Sequence, residues 1–317
     1  MMKKLTIILT AFFLMTGTGL SAQNLNDAGK AYNKAIALAQ ENKTLEAIAS
    51  YQKCADICAE LGDVGEGLKI KAETQIYNLY LTMGVESYKA KAYDSAIASF
   101  TDAGRYAELI NDPESTDKLN KYFAAAYTGK GNTLLKKTKY NDAIAAFNKA
   151  AEYHPSLPNA YYGLAICYSK LEDTGNLEES VNKVKEVTND EDMIGKVNSI
   201  AATYYLKMSG KAIEAQNFNE ARMMAELSIG YEREDPTAFY YLALSNNNLG
   251  FFGDAQKAAT IGISMDQEDK SNMYFELGRA YEGNGDKENA CSAYANVTSG
   301  PNIQAANYQR TQVLKCE

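Results

Sequence analysis

The sequence is poor in the residues from which most catalytic and metal sites are built. It holds 1 histidine among 317 residues, which excludes a His-rich metal site and any mechanism that needs two imidazoles. Basic residues are the minority: 32 Lys+Arg stand against 40 Asp+Glu, a formal charge of −8. Nucleic-acid binding needs a Lys/Arg surplus, so nucleic acid is not an expected partner. The 5 prolines leave room for long uninterrupted helices. The 5 cysteines are an odd number, so at least one is unpaired in any compartment. Past residue 22 no stretch approaches the roughly 20 apolar residues of a membrane span. What remains is an ordinary globular composition, 46% hydrophobic and 23% charged, with length enough for an ample core.

Residues 1–22 read as an export signal. Lys3 and Lys4 form a basic start, Leu5 to Met15 form an apolar run, and Ser21-Ala22 offers a small-residue cleavage site before Gln23. The run is too short for a membrane anchor, and the first cysteine after it is Cys54, so no lipid-accepting cysteine follows. The expectation is an exported, soluble mature chain, periplasmic or secreted, with no membrane insertion.

The rest of the chain repeats itself. An acidic or polar residue, then Ala, an apolar residue and an aromatic three positions on recur as Glu46-Ala47-Ile48…Tyr51, Ser95-Ala96-Ile97…Phe100 and Asp142-Ala143-Ile144…Phe147. Weaker copies centre on Ser180, Ala221 and Ala255, and a seventh is Asn289-Ala290-Cys291…Tyr294. Ala221 and Ala255 are 34 residues apart, and Ala255 and Ala290 are 35 apart. Counting back twelve from each ungapped copy gives Ala35, Gly84, Gly131, Ser209, Ala243 and Gly278, all small. Counting back sixteen gives Ala31, Tyr80, Tyr127, Tyr205, Phe239 and Tyr274, five of them aromatic. The fourth copy, with an insertion near Asp173-Thr174-Gly175, reads Tyr161, Leu164, Ala165, Tyr168 and Ser180.

This pattern resembles the tetratricopeptide repeat (TPR) family, whose helix–turn–helix unit has a 34-residue period. The resemblance implies an all-α fold, a right-handed superhelix of about seven helical hairpins over residues 24–317. Long-period repeats would occupy 24–115, regular repeats 116–302 and a capping helix 303–317. In the family a small residue on the first helix meets a small residue on the second at their crossing, and aromatics fill the flanking gaps. The spacings of 49 from Ala47 to Ala96 and 47 from Ala96 to Ala143 exceed the period by 13 to 15 residues, close to four helical turns. They predict long first helices over 66–91 and 116–138, the second capped by Ser115 or Thr116, or else an extra short helix in each gap. All five prolines are expected between helices.

Candidate chemical motifs have plain structural readings. His154 before Pro155 is a turn residue without a nucleophile or acid in view. The glycines from Gly62 to Gly67 lack the preceding strand of a phosphate loop, and Asn284-Gly285-Asp286 lacks the ligand series of a calcium loop. No catalytic residue, metal site or cofactor is expected.

The resemblance instead directs attention to the concave face of the first helices. The residues it places there are Tyr32, Leu81, Asn132, Asn159, Tyr162, Ile166, Leu206, Tyr240, Leu244, Asn247, Phe275 and Arg279. Asn132, Asn159, Tyr162, Ile166, Tyr240, Asn247, Phe275 and Arg279 are the candidate binding residues. The chaperone-type carboxylate clamp is absent: Asn132 fits it, but Thr128, Gly163, Thr203 and Lys207 stand at its other positions. The implied function is a non-enzymatic scaffold holding a protein or extended peptide of the cell envelope; the alternative is a glycan or small-ligand binder.

Among the cysteines, Cys54, Cys58 and Cys167 fall at packing positions of their helices. Cys291 falls where early copies carry Ile48, Ile97 and Ile144, a position that packs on the next helix. After the last copy that helix is the cap, on which Ile303, Ala306, Val313 and Cys316 share a face by helical spacing. A Cys291–Cys316 disulfide is therefore expected.

Overall fold

The computed structural model describes residues 23–265 and 269–316. The expected export segment, residues 1–22, lies outside the described residues. Among the described residues every regular element is helical. The chain divides into two compact units, residues 1–160 and 161–317.

The first unit holds three helical hairpins. They are α1 (residues 23–40) with α2 (Thr44–Glu60), α3 (Glu66–Lys89) with α4 (Tyr93–Ile110), and α5 (Pro113–Lys136) with α6 (Tyr140–Tyr153). α7 (Pro158–Leu171) begins at the end of this unit, and most of it lies in the second. There it precedes α8 (Thr174–Val187), followed by α9 (Glu191–Glu214) with α10 (Phe218–Tyr231), α11 (Pro236–Leu249) with α12 (Phe252–Ser264), and α13 (Ser271–Gly283) with α14 (Lys287–Ala295). α15 (Ile303–Tyr308) follows and runs into a single π turn, Gln309–Val313. Within each unit helices pack on their sequence neighbours, and first helices of successive hairpins also touch: α3 on α5, α9 on α11, α11 on α13. This is the all-α, stacked-hairpin fold that the register implies.

The hairpin turns repeat as faithfully as the helices. Each has one residue in the left-handed region: Asn42, Lys91, Thr138, Glu172, Gln216, Gly250 and Gly285, with φ between 56 and 79°. The next residue's N–H donates to a carbonyl five residues back, from Lys43 to Leu38, Ala92 to Ser87, Lys139 to Leu134, Asp173 to Tyr168, Asn217 to Ala212, Phe251 to Asn246 and Asp286 to Tyr281. This 6→1 bond closes the helix end and sends the chain back antiparallel.

Inside the hairpins the small residues make room for aromatic rings. A Cβ on Gly84 would lie 2.3 Å from Phe100 Cε1, one on Gly131 2.7 Å from Phe147 Cε1, and one on Gly278 2.6 Å from Tyr294 Cδ1. The first helix gives up a side chain to seat the ring of the second, four residues past the buried alanine. Direct small-on-small approach does occur in the α9–α10 hairpin, where Ser209 Oγ donates to the Ala221 carbonyl at 2.8 Å. Ala47, Ala96, Ala143, Ala221, Ala255 and Ala290 are all completely buried.

The long spacings are continuous helices: α3 and α5 each run 24 residues. The cap of α5 is Asp112, whose carboxylate accepts from the Ser115 N–H at 3.0 Å, rather than Ser115 or Thr116. Pro113 and Pro236 sit in the first turns of α5 and α11, and Pro158 starts α7, so three prolines are inside helices. First-turn N–H groups lack an intrahelical acceptor, so proline costs nothing there. α9 also runs 24 residues, a length the spacing reading passed over.

At the C-terminus Cys291 is bonded to Cys316, with Cα atoms 5.8 Å apart. Ile303 and Ala306 pack on Ala290, Tyr294 and Val297, as does Leu314. Val313, expected on that face, is 48% exposed. The π turn inserts a residue into the helical register and swings Leu314 inward in its place. Cys54, Cys58 and Cys167 are fully buried free thiols.

Candidate functional site: the cleft between α7 and α9

The extra turns of α9 produce the site. The fourth hairpin has no insertion: its left-handed turn residue is Glu172 and α8 begins at Thr174, so Leu177, not Ser180, stands five residues past the turn as Ala221 does past Gln216. Leu177 and Ala221 are 44 residues apart, ten more than the regular period and about three helical turns. Asp190 caps the lengthened helix, accepting from the N–H groups of Asp192 at 3.0 Å and Met193 at 3.4 Å. The added turns carry Lys196, Ser199 and Ile200 beside the Thr203, Tyr204 and Lys207 of the regular helix. At steps of three and four these six residues form one stripe. From α7, Tyr162, Ile166, Ser169 and Lys170 form a matching stripe, and the two enclose a cleft of about 460 Å³.

The floor is apolar and continuous with the core. Tyr162 and Ile200 pack on a cluster that contains Ala165, Val181, Val197 and Ala201. Tyr204 is buried, and its hydroxyl pairs with Thr174 Oγ1 at 2.5 Å, which leaves its ring fixed along the cleft. The rim is polar, with Ser199 and Thr203 exposed. Lys196 is held by Asp192 at 2.5 Å, and its ammonium form is favoured first by that hydrogen bond and then by the carboxylate charge. Glu172 takes Lys207 at 2.9 Å and Lys211 at 2.5 Å. Those two hydrogen bonds lower the Glu172 carboxyl to about 2, so it stays ionised and keeps both lysines in place.

The residues picked from sequence separate. Tyr162 and Ile166 come together in this cleft. Tyr240 lines a smaller one of about 250 Å³ with Pro236, Thr237, Tyr241 and Met273. It also packs on the α11–α13 core, and burial pushes its phenol up to about 12, with the Glu276 charge adding. Asn247 is a correction. It is 5% exposed, and its amide donates to the Glu276 carbonyl and to Glu276 Oε2, both at 2.8 Å, so it braces a buried carboxylate instead of facing a ligand. Arg279 reaches the same Glu276 at 3.0 Å. Burial raises the Glu276 pKa, against the pull of Arg279 and Asn247. Phe275 tilts against Tyr294, with centroids 5.8 Å apart. Asn132 and Asn159 are exposed and line neither cleft. Leu81 is a core residue, 6% exposed. Lys170, Lys196, Ser199, Ile200 and Tyr204 went unread in the sequence, and Lys207 was met only as a departure from the clamp; the 44-residue spacing from Leu177 to Ala221 was the signal that would have found the α9 part.

Known proteins place these features. Residues 131–171 match the family described as TPR repeat, and residues 271–299 match the one described as tetratricopeptide repeat. A TPR repeat-containing protein of Methanocaldococcus jannaschii is 25% identical over 286 residues, covering 86% of this chain and 48% of that protein. Small glutamine-rich tetratricopeptide repeat-containing protein 2 of Mycosarcoma maydis is 26% identical over 84 residues, 26% of this chain and 24% of its own length. The chain thus spans about half of the first relative and a quarter of the second. Similar solved structures include YrrB, described as a TPR protein with an unusual peptide-binding site, at a TM-score of 0.38 and 16% identity, covering 59% of this chain and 91% of that one. A tetratricopeptide repeat protein from Parabacteroides merdae overlays at a TM-score of 0.28 and 13% identity, over 89% and 96%. The two matched segments fall on α5 to α7 and on the α13–α14 hairpin, and a small residue with a buried alanine recurs in hairpins outside them, at Ala35 and Ala47, Gly84 and Ala96, Ser209 and Ala221, and Ala243 and Ala255. Residues 131–171 and 271–299 are thus tetratricopeptide repeats, in a chain whose fold is a stack of helical hairpins.

Proposed function

We propose that this chain is an exported, non-catalytic scaffold that holds an extended segment of a partner protein in the cleft between α7 and α9. The observation that carries this reading is the cleft's construction: an aromatic and aliphatic floor fixed by the core, bordered by exposed hydroxyls and lysines. Apolar floors with a few placed polar groups suit side-chain anchors of a bound chain, with the rim left to set orientation. Stacked hairpins present such faces without the converging nucleophile, base and acid that turnover needs. His154, the one imidazole, lies 3.3 Å from Ser156 Oγ in the turn after α6. Export is supported by the basic, apolar and small-residue order of residues 1–22 and by the Cys291–Cys316 bond, a linkage that persists in oxidising compartments.

A photo-crosslinking amino acid at Ser199 or Thr203, both exposed on the cleft, tests the reading in cells. It should trap a defined protein segment, whereas the same group at Met223, 54% exposed on α10, should not. Equal trapping at both places would overturn the cleft as the binding site.

A further inference from the structure

We propose that the α7–α9 cleft selects an acidic extended peptide of about five residues, with a carboxylate near each end and apolar side chains between. This deepens the scaffold reading and rests on it. The charge around the cleft runs against the chain as a whole. Lys170, Lys196 and Lys207 line it and no carboxylate does, the Asp192 and Glu172 that pair with Lys196 and Lys207 lying outside the lining, in a protein whose formal charge is −8. Lys170 has no ion-pair partner among the described residues. Lys196 and Lys207 remain about half exposed, with side-chain accessibilities of 54% and 53%, so each can meet a second carboxylate.

Spacing sets the length of the ligand. Lys196 and Lys207 are eleven residues apart on one helix, about 16 Å at 1.5 Å per residue. An extended chain covers that in about five residues. Between the two lysines lie Ile200 and Tyr204, opposite Tyr162 and Ile166, so the middle of the segment meets an apolar floor. The lysines are strung along the cleft and do not converge on a point, which fits separated carboxylates better than one phosphate. Lys196 and Ile200 belong to the extra turns of α9, so the selectivity is a property of this hairpin and not of the repeat in general.

The test measures anisotropy of a fluorescein-labelled, end-capped peptide Glu-Leu-Thr-Leu-Glu with the full-length protein. Gln-for-Glu and Lys-for-Glu versions serve as controls, and oligogalacturonate as a competitor. The acidic peptide should bind about fivefold or more tighter than the Gln version, and binding should weaken steeply toward about 1 M salt. Lys170→Ser and Lys196→Ser should each weaken it by about two- to fivefold, the scale of an exposed charge pair, while Lys149→Ser on α6 should leave it unchanged. Circular dichroism confirms that the exposed-site variants fold. Equal binding of the Glu and Gln versions, indifference to Lys170→Ser and Lys196→Ser, or no binding by any peptide overturns the inference. Binding of oligogalacturonate in place of the peptide also overturns it, in favour of an acidic polysaccharide. If crosslinks from Ser199 map to an uncharged segment, the charge selection falls and the scaffold reading stands. If Ser199 and Met223 trap alike, both fall.

Discussion

Glycine decides stability with opposite signs at two places in these hairpins. Gly84 lies within a helix, where alanine is intrinsically better by about 1 kcal/mol. Yet a Cβ there would meet Phe100 Cε1 at 2.3 Å, and Phe100 is completely buried with no room to retreat. Gly84→Ala should therefore lower stability by about 1–3 kcal/mol despite its helix propensity. Thr138 presents the reverse case. It is exposed, β-branched and held at φ 56° to close the α5–α6 turn. An L-residue pays about 1 kcal/mol for that conformation and glycine does not, so Thr138→Gly should raise stability by about that much. Urea unfolding of both variants checks the pair. Unchanged stability of Gly84→Ala would mean that the ring can move, and loss on Thr138→Gly would mean that the threonine hydrogen bond to the Lys137 carbonyl outweighs the strain.

Helix length is where the site departs from the regular repeat. Asp190 holds the start of α9, six residues before Lys196, by accepting two first-turn N–H groups. Asp190→Ala should cost about 1 kcal/mol, the usual worth of such a cap. Amide exchange over residues 191–195 should quicken and binding at the cleft should weaken, while α13 and α14 keep their protection. Faster exchange with unchanged binding would show that the first turn of α9 takes no part in the cleft. The hairpins themselves were legible in the sequence because Ala96, Ala143 or Ala290 and the ring four residues later recur with a period that packing enforces. Tyr162 and Ile166 were legible for the same reason, being fixed by register. The extra turns of α9 were not, because the preceding hairpin carries Leu177 where the others carry alanine, and reading Ser180 in its place, after an insertion, hid the ten-residue excess before Ala221. The turns were only partly legible: Gly250 and Gly285 announce a left-handed residue, but Lys91, Thr138 and Glu172 reach the same conformation under the force of the closing hydrogen bond. Asn247 misled because register places it on the first-helix face but says nothing of Glu276, the buried carboxylate that the next hairpin brings to it.

At the scale of the whole chain the weak point of a repeat fold is its last hairpin, which has a neighbour on one side only. Here α15 is six residues long, and its buried contact with Ala290, Tyr294 and Val297 is small. A helix of that length is not stable by itself. The Cys291–Cys316 bond ties the end of the chain to α14 and closes a loop of 25 residues, worth on the order of 3 kcal/mol in the chain-entropy model. Because contacts run between neighbouring hairpins, its loss should be felt locally. Cys316→Ser, or reduction of the native protein, should speed amide exchange across 287–316 and leave residues 23–160 unchanged. Thiol titration of the same reduced, folded sample separates this from general loosening. Cys54, Cys58 and Cys167 are fully buried, and burial pushes the Cys54 thiol up to about 12 and Cys167 up to about 11, so none forms a thiolate at neutral pH. Two thiols, Cys291 and Cys316, should react quickly with a water-soluble maleimide after reduction, and all 5 only after unfolding. More than two fast thiols in the folded, reduced protein, or faster exchange throughout residues 23–160, would show that the bond secures the fold as a whole and not its final hairpin alone.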